Sequence, residues 1–246
     1  MAGPIPPRSD VPPDGQGESF PGARWRALDA IWVFGIALIA GALLSAPISV
    51  IRSCSARYDQ AVLAGEVALA GAVLWWVVIV RKAPVRALGL PRQPWRDLGT
   101  GLLVGLLLVV VAAVVLAVVQ AIATRLLGHS PKEPEQVVSC VRGAGLVVLA
   151  PIVIVAAPLG EELFFRGLLY QGLRRRFSAW PAAILSGAFF GLVHLGGAAF
   201  FLIVPSLAAV GIGLALLFER RRSLLASMAA HAAFNVVGYL AIALRR

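Results

Sequence analysis

Charged residues are scarce in this chain: they make up 14% of its 246 residues, whereas 59% are hydrophobic and the mean hydropathy is +0.86. Soluble domains have about a quarter charged residues, so the composition excludes an average soluble enzyme. It also excludes disorder over most of the chain, because disorder requires low hydrophobicity and high charge. The composition therefore predicts an integral membrane protein in a lipid bilayer.

Acidic residues are scarcer than basic ones, with 12 Asp and Glu against 22 Lys and Arg, and the net charge is +10. Such a charge suits a nucleic-acid-binding protein, but no basic face is interleaved with aromatic residues. The basic residues instead form short clusters between apolar runs, which is typical of cytoplasmic membrane loops. We therefore expect no nucleic-acid partner.

Long apolar runs dominate the chain after its first 27 residues. A helix needs about 20 apolar residues to cross the hydrocarbon of a bilayer. The candidate spans are Leu28–Ile51, Gln60–Val80, Leu98–Ala123, Leu146–Leu159, Trp180–Leu195, Phe200–Phe218 and Leu224–Leu244. These runs predict an all-α, polytopic transmembrane bundle of seven helices, or of eight if residues 143–174 form two segments rather than one helix with a partly amphipathic second half.

Three regions follow from this pattern. Residues 1–27 are rich in proline and predict a flexible tail rather than a signal peptide, residues 28–142 hold three spans, and residues 143–246 hold the polar motifs described below. One side of the predicted topology carries about twice as many basic residues as the other. Its members are Arg8, Arg24, Arg26, Arg81, Lys82, Arg86, Arg92, Arg96, Arg174–Arg176 and Arg220–Arg222. This bias predicts a cytoplasmic N-terminus. The membrane that we expect is a bacterial plasma membrane.

Cysteine is nearly absent, and the two that occur, Cys54 and Cys140, fall in loops on the same predicted non-cytoplasmic side. Two free thiols and a disulfide between the loops both fit this placement.

Few strongly polar residues interrupt the spans, and such residues are functional candidates because a charge costs roughly 3 kcal/mol at the bilayer centre. The segment EExxxR places Glu162 and Arg166 four residues apart on one helix face, where they can form an ion pair. Glu161 points elsewhere and stays free, as a general base requires. A wet helix end with a snorkelling arginine is the structural alternative.

Two further motifs follow. FxxxH ends in His194, and Gly187 and Gly191 on the same helix stripe allow a neighbouring helix to approach closely. HxxxN puts His231 and Asn235 on one face of the last span, an arrangement that suits either an oxyanion or an interhelical clamp. Glu66 is a lone acidic residue to which the sequence assigns no chemistry.

EExxxR, FxxxH and HxxxN in this order resemble the CPBP family of intramembrane proteases, which includes CAAX prenyl endopeptidases and bacteriocin-processing relatives. The resemblance covers about residues 143 to 244. It implies that Glu161 is the essential catalytic carboxylate and that the other motif residues complete the site: Glu162, Arg166, His194, His231 and Asn235. It also implies a membrane-associated peptide or protein as the substrate.

The resemblance leaves the chemistry open between a glutamate-dependent and a metal-dependent protease. We favour the first, with no required cofactor: Glu161 and His194 activate water, and His231 and Asn235 stabilise the oxyanion. In the second, Glu161, His194 and His231 would bind Zn²⁺, but then no free base would remain except Glu162, which Arg166 already pairs. The chain has no HExxH, no intramembrane aspartate pair and no GxSx context, so other intramembrane protease designs do not fit.

Two functions of other classes remain as alternatives. The polar set would hold helices together in a non-proteolytic membrane scaffold or regulator that binds a partner membrane protein. It would line a proton path in a small transporter, although the two halves of the chain show no matching motif.

Overall fold

The computed structural model describes residues 20, 22–47, 54–91, 93–131, 141–195 and 202–244, and within these ranges all regular structure is helical. The predicted all-α fold is confirmed. The alternative pairing of Cys54 with Cys140 lies outside the described side chains.

Within these described ranges, seven long helices succeed one another along the chain. Their bounds are α1 Ala27–Ser45, α2 Cys54–Trp75 with a π-helical extension Trp76–Val80, α3 Pro94–Leu127, α4 Ala144–Arg174, α5 Ala179–Leu192, α6 Val204–Arg221 and α7 Leu224–Ala243. Each helix overlaps one of the seven predicted spans, and at least one end of the helix lies within a few residues of an end of that span. The count of seven is obtained because residues 144–174 form one helix rather than two.

Five of the seven helices are long and apolar enough to cross a membrane, namely α1, α2, α3, α4 and α7. Helix α5 is apolar but has only 14 residues. Helix α6 has 18 residues and ends in Glu219, Arg220 and Arg221, which shortens its apolar part. The polytopic membrane architecture is thus confirmed.

Helix α4 is the central element of the bundle. Residues 162–174 are all buried, and this half packs against α1, α2, α5, α6 and α7. The second half is amphipathic as predicted, but its polar side chains face other helices rather than a wet interface. Helix α4 continues through Pro151 and Pro158, with a π-helical segment, Ile152–Ala156, between the two prolines and a second one, Leu163–Tyr170, after them.

Glycines allow the closest helix contacts. A Cβ on Gly105 of α3 would lie 2.3 Å from the carbonyl oxygen of Ala230 in α7. A Cβ on Gly191 of α5 would lie 2.6 Å from the carbonyl oxygen of Val204 in α6. The close approach predicted for the Gly187 and Gly191 stripe is confirmed.

Ion pairs connect helix ends at the basic end of the bundle, which is the end where α1 and α3 begin and α2, α4 and α6 finish. Asp29 at the start of α1 accepts hydrogen bonds from Arg81 and from Trp76 Nε1, and Asp97 at the start of α3 accepts from Arg221 Nη2 at 2.6 Å. Both aspartates are only 2% exposed, so they are not solvated at span edges as their positions suggest. They neutralise arginines of neighbouring helices instead.

The last part of the predicted tail packs in the core. Phe20 stacks on Phe218 with ring centroids 5.3 Å apart, and Trp25 is fully buried. The guanidinium of Arg222 lies 4.0 Å from the centre of the Phe20 ring. These contacts fasten the segment before α1 to the end of α6.

Candidate active site

Glu162 and Arg166 form the ion pair predicted from EExxxR. Arg166 Nη1 donates to Glu162 Oε1 at 2.7 Å, and both side chains are completely buried. Arg166 Nη2 also donates to the carbonyl oxygen of Gly211 at 2.9 Å, which links α4 to α6. A buried charge needs such partners, because an unpaired one costs several kcal/mol.

His231 joins the same buried network from α7. Its Nδ1 lies 3.0 Å from Glu162 Oε1, and the residue is 3% exposed. Since a carboxylate accepts hydrogen bonds, Nδ1 carries a proton and Nε2 is left for another partner. Arg166, Glu162 and His231 therefore connect three helices and fix the orientation of the imidazole.

Glu161 lies on the other side of α4, next to a cavity. Its side chain is 13% exposed, and its Oε2 is buried with no hydrogen-bond partner. Oε2 is 3.7 Å from His231 Nε2, and Oε1 is 3.9 Å from His194 Nε2. These separations are too long for direct hydrogen bonds but are short enough for a water molecule to bridge.

His194 lies just beyond the end of α5 rather than inside a helix. The helix ends at Leu192, and His194 Nδ1 lies 2.7 Å from the carbonyl oxygen of Phe190. The side chain therefore faces Glu161 and does not project into the contact between α5 and α6, which is made by the glycines. A proton on Nδ1 leaves Nε2 directed at Glu161, as in His231.

His194 and His231 thus each carry a proton on Nδ1 and direct Nε2 at the carboxylate of Glu161. This arrangement suits both water activation and metal binding. Within the described ranges, however, no three His, Cys, Asp or Glu side chains form a group that could hold a metal ion. The zinc alternative for Glu161, His194 and His231 stays a prediction.

Asn235 has a structural partner that the motif alone does not reveal. Ala157 N–H bonds back to Ile152 O in the first π-helical turn of α4, and Pro158 has no N–H for the next bond, to Val153 O. Asn235 Nδ2 supplies a donor to Val153 O at 2.7 Å. The amide has a second N–H, so this bond leaves one donor free.

A cavity of about 450 Å³ lies beside these groups between α2, α4 and α7. Glu161, His194 and Asn235 line it, together with Tyr58, Val62, Leu146, Leu149, Val153, Ala157, Phe234, Gly238 and Tyr239. Just over half of the lining residues are apolar, and the polar ones come from α2, α4, α7 and the segment after α5. Such a cavity is typical of a binding site.

Glu66 of α2 lines the same cavity, which sequence reasoning missed. A Cβ on Gly160 would lie 2.5 Å from Glu66 Oε2, so the glycine before Glu161 admits this carboxyl group next to the site. Glu66 Oε2 is buried with no hydrogen-bond partner. Only its position as a lone acid at membrane depth could have drawn attention to it.

Residues 143–237 match the model of a family described as Rce1-like, type II CAAX prenyl endopeptidase Rce1-like. The match begins just before α4 and extends into α7, so it includes all six motif residues. It confirms the family resemblance drawn from the three motifs and supports a CAAX-type intramembrane protease in general terms. A search among curated proteins and a search among solved structures found no match for the chain.

Proposed function

We propose that this chain is an intramembrane endopeptidase that hydrolyses a peptide bond of a membrane-associated protein or peptide, with Glu161 as the catalytic carboxylate. The observation that supports it most is the meeting of Glu161, His194 and His231 beside a cavity that Glu161 and His194 line. Three separate helices or helix ends bring these side chains together. Structural packing alone does not require a carboxylate oxygen that is buried and unpaired.

In the proposed reaction, a water molecule binds between Glu161 and His194. Glu161 removes a proton from the water while the water oxygen attacks the carbonyl carbon of the substrate. The tetrahedral intermediate then collapses, the carbon–nitrogen bond breaks, and Glu161 returns the proton to the leaving amine. Glu161 therefore acts first as a base and then as an acid.

His231 and Asn235 stabilise the oxyanion of that intermediate in this proposal. Glu162 holds His231 through Nδ1, and the proposal places a proton on Nε2 that is donated to the oxyanion. Asn235 contributes the N–H that is not bonded to Val153. His231 is held by Glu162 and Asn235 by Val153 before the substrate binds, so little reorganisation is needed.

Glu66 would accept a hydrogen bond from an N–H of the bound peptide. Glu66 lines the cavity from α2, and its Oε2 has no hydrogen-bond partner. The proposal also places the basic end of the bundle on the cytoplasmic side of a bacterial plasma membrane, because basic residues concentrate there. Labelling of single cysteines introduced at Arg86 and Arg125 with a membrane-impermeant thiol reagent, after replacement of Cys54 and Cys140 by alanine, tests that orientation.

The proposed activity is tested with protein reconstituted in nanodiscs, a fluorogenic peptide library, and metal analysis by mass spectrometry. Wild type is compared with Glu161→Ala and His194→Ala, with and without a chelator. We expect cleavage that persists in chelator and is lost in both variants. Stoichiometric zinc with chelator-sensitive cleavage would replace the water-activation mechanism with the metal-dependent one.

One set of observations favours the scaffold alternative. Asn235 and Tyr239 of α7 both donate to carbonyl oxygens of α4, at Val153 and Leu146, as interhelical clamps. If the polar set serves only this purpose, a strain carrying Glu161→Ala would retain the phenotype of wild type, whereas a deletion strain would lose it. Under the protease proposal the two strains behave alike.

A further inference from the structure

A groove with a basic mouth runs along the outside of the bundle, away from the candidate active site. Its mouth is a cavity of about 590 Å³ where the start of α1 crosses the end of α4. Arg26, Arg175 and Arg176 line this mouth, and all three are exposed. Gly172 permits the crossing, because a Cβ there would lie 2.7 Å from the backbone of Arg26 and Ala27.

The mouth continues into a second cavity of about 530 Å³ that is lined only by apolar side chains. The two cavities share Ala27, Leu28 and Leu173, so they form one groove. The apolar part extends along α1 past Ile31 and Phe34 towards Leu169 of α4 and Leu185 and Phe189 of α5. Leu28 and Ile31 are 66% and 67% exposed, so the groove opens towards the lipid.

We propose that this groove binds an anionic phospholipid, with the phosphate at Arg26, Arg175 and Arg176 and an acyl chain along the apolar part. Basic pockets between transmembrane helices recognise lipid head groups in this manner. Among the residues that the structure describes, no acidic side chain lines either cavity. Arg175 is held at the mouth by a bond from Nη1 to the carbonyl oxygen of Ala23 at 3.3 Å.

The bound chain would contact the aromatic cluster that leads to the active site. Phe34 and Phe189 of the groove pack together at 5.3 Å, and Phe189 packs on Phe165 at 5.8 Å. Phe165 contacts Phe190, which lies 4.9 Å from the ring of His194. The groove therefore touches the helices that carry the site without overlapping its cavity.

The experiment measures lipid retention by native mass spectrometry of the detergent-solubilised protein, with phosphatidylglycerol and phosphatidylcholine of identical acyl chains. Phosphatidylglycerol should bind more tightly. Replacing all three mouth arginines by glutamine should weaken it about a hundredfold, since each charge near a membrane surface contributes about fivefold. The matched control replaces Lys82, Arg86 and Arg220, three exposed basic residues at the same end of the bundle, and should retain the lipid.

Two further arms separate the sources of binding. Ile31→Asn and Leu185→Asn in the groove should weaken phosphatidylglycerol, whereas Leu103→Asn on the exposed face of α3 should not. If the triple variant does not purify as a single species, Arg26→Gln with Arg176→Gln keeps the bond of Arg175 and should weaken binding about 25-fold. Equal losses in the basic control, equal retention of phosphatidylcholine, or displacement by inorganic phosphate or by an acidic apolar peptide would each overturn the proposal.

Discussion

Glu161 and Glu162 are neighbours in the sequence, yet they belong to regions of the bundle with opposite properties. Glu162 lies in the closed core, with Arg166 and His231 bonded to one of its oxygens at 2.7 Å and 3.0 Å. Glu161 lies at a cavity wall, and the Nε2 atoms of His231 and His194 are 3.7 Å and 3.9 Å from its carboxylate oxygens. A rotation of about 100° along α4 separates these environments. One carboxylate therefore holds the structure, and its neighbour is left available for chemistry.

The sharpest way to separate the two regions is to remove the charge of Glu161. Glu161→Gln should lower the cleavage rate by a factor of about 10² to 10⁴, because it removes the general base. Its thermal unfolding should stay close to wild type, since Glu161 makes no short hydrogen bond. Peptide cleavage and a melting curve in detergent check this, and cleavage at the wild-type rate would remove Glu161 from the mechanism.

The core region is broken by removing one partner of its ion pair. Arg166→Met should destabilise the protein by about 3–5 kcal/mol, because Glu162 then remains buried without its cation. Adding Glu162→Gln should recover part of this loss, since the uncompensated charge is gone. Denaturation of the single and double variants measures the difference, and a double variant less stable than Arg166→Met would contradict the argument.

Asn235 tests the boundary between the two regions, because it bonds to α4 and also faces the cavity. Asn235→Ala should cost about 1 kcal/mol of stability from the lost bond to Val153 and lower kcat about a hundredfold. Tyr239→Phe is the matched control, since it removes only the bond to Leu146. It should cost similar stability and leave kcat almost unchanged. Equal kcat losses in the two variants would assign Asn235 to packing alone.

Glu66 gives the smallest expected effect and sharpens the description of the cavity region. Glu66→Ala should raise KM about fivefold through the loss of one hydrogen bond to substrate, while kcat changes little. Gln at this position keeps an acceptor oxygen and should restore most of the affinity. If KM is unchanged in both variants, Glu66 is a helix contact and not part of the substrate site.

The sequence predicts the part of the fold that depends on hydrophobic length and local spacing. Seven apolar runs correspond to seven described helices. The four-residue spacing of Glu162 and Arg166 gives an ion pair, because residues four apart lie on the same face of a helix. The close packing at Gly187 and Gly191 is equally local, since a missing side chain is visible in the sequence.

Contacts between distant segments could not be predicted in this way. Asp29 and Asp97 are buried because arginines 52 and 124 residues away pair with them. The loss of the Pro158 donor is visible in the sequence, but its replacement by Asn235 depends on how α7 lies against α4. Glu66 joins the site for the same reason, through a packing of α2 on α4 that no motif records.

The bond between Asn235 and Val153 also has a consequence for how the molecule is made. Helix α4 is synthesised with its carboxylates well before α7, which brings His231 and the amide that replaces the missing donor of Pro158. Until α7 is inserted, the proposed site lacks the two donors that would stabilise the oxyanion. The carbonyl oxygen of Val153 in α4 also lacks the hydrogen bond that Asn235 donates. Under the proposed mechanism, the order of synthesis therefore keeps the nascent chain inactive until α7 has entered the membrane.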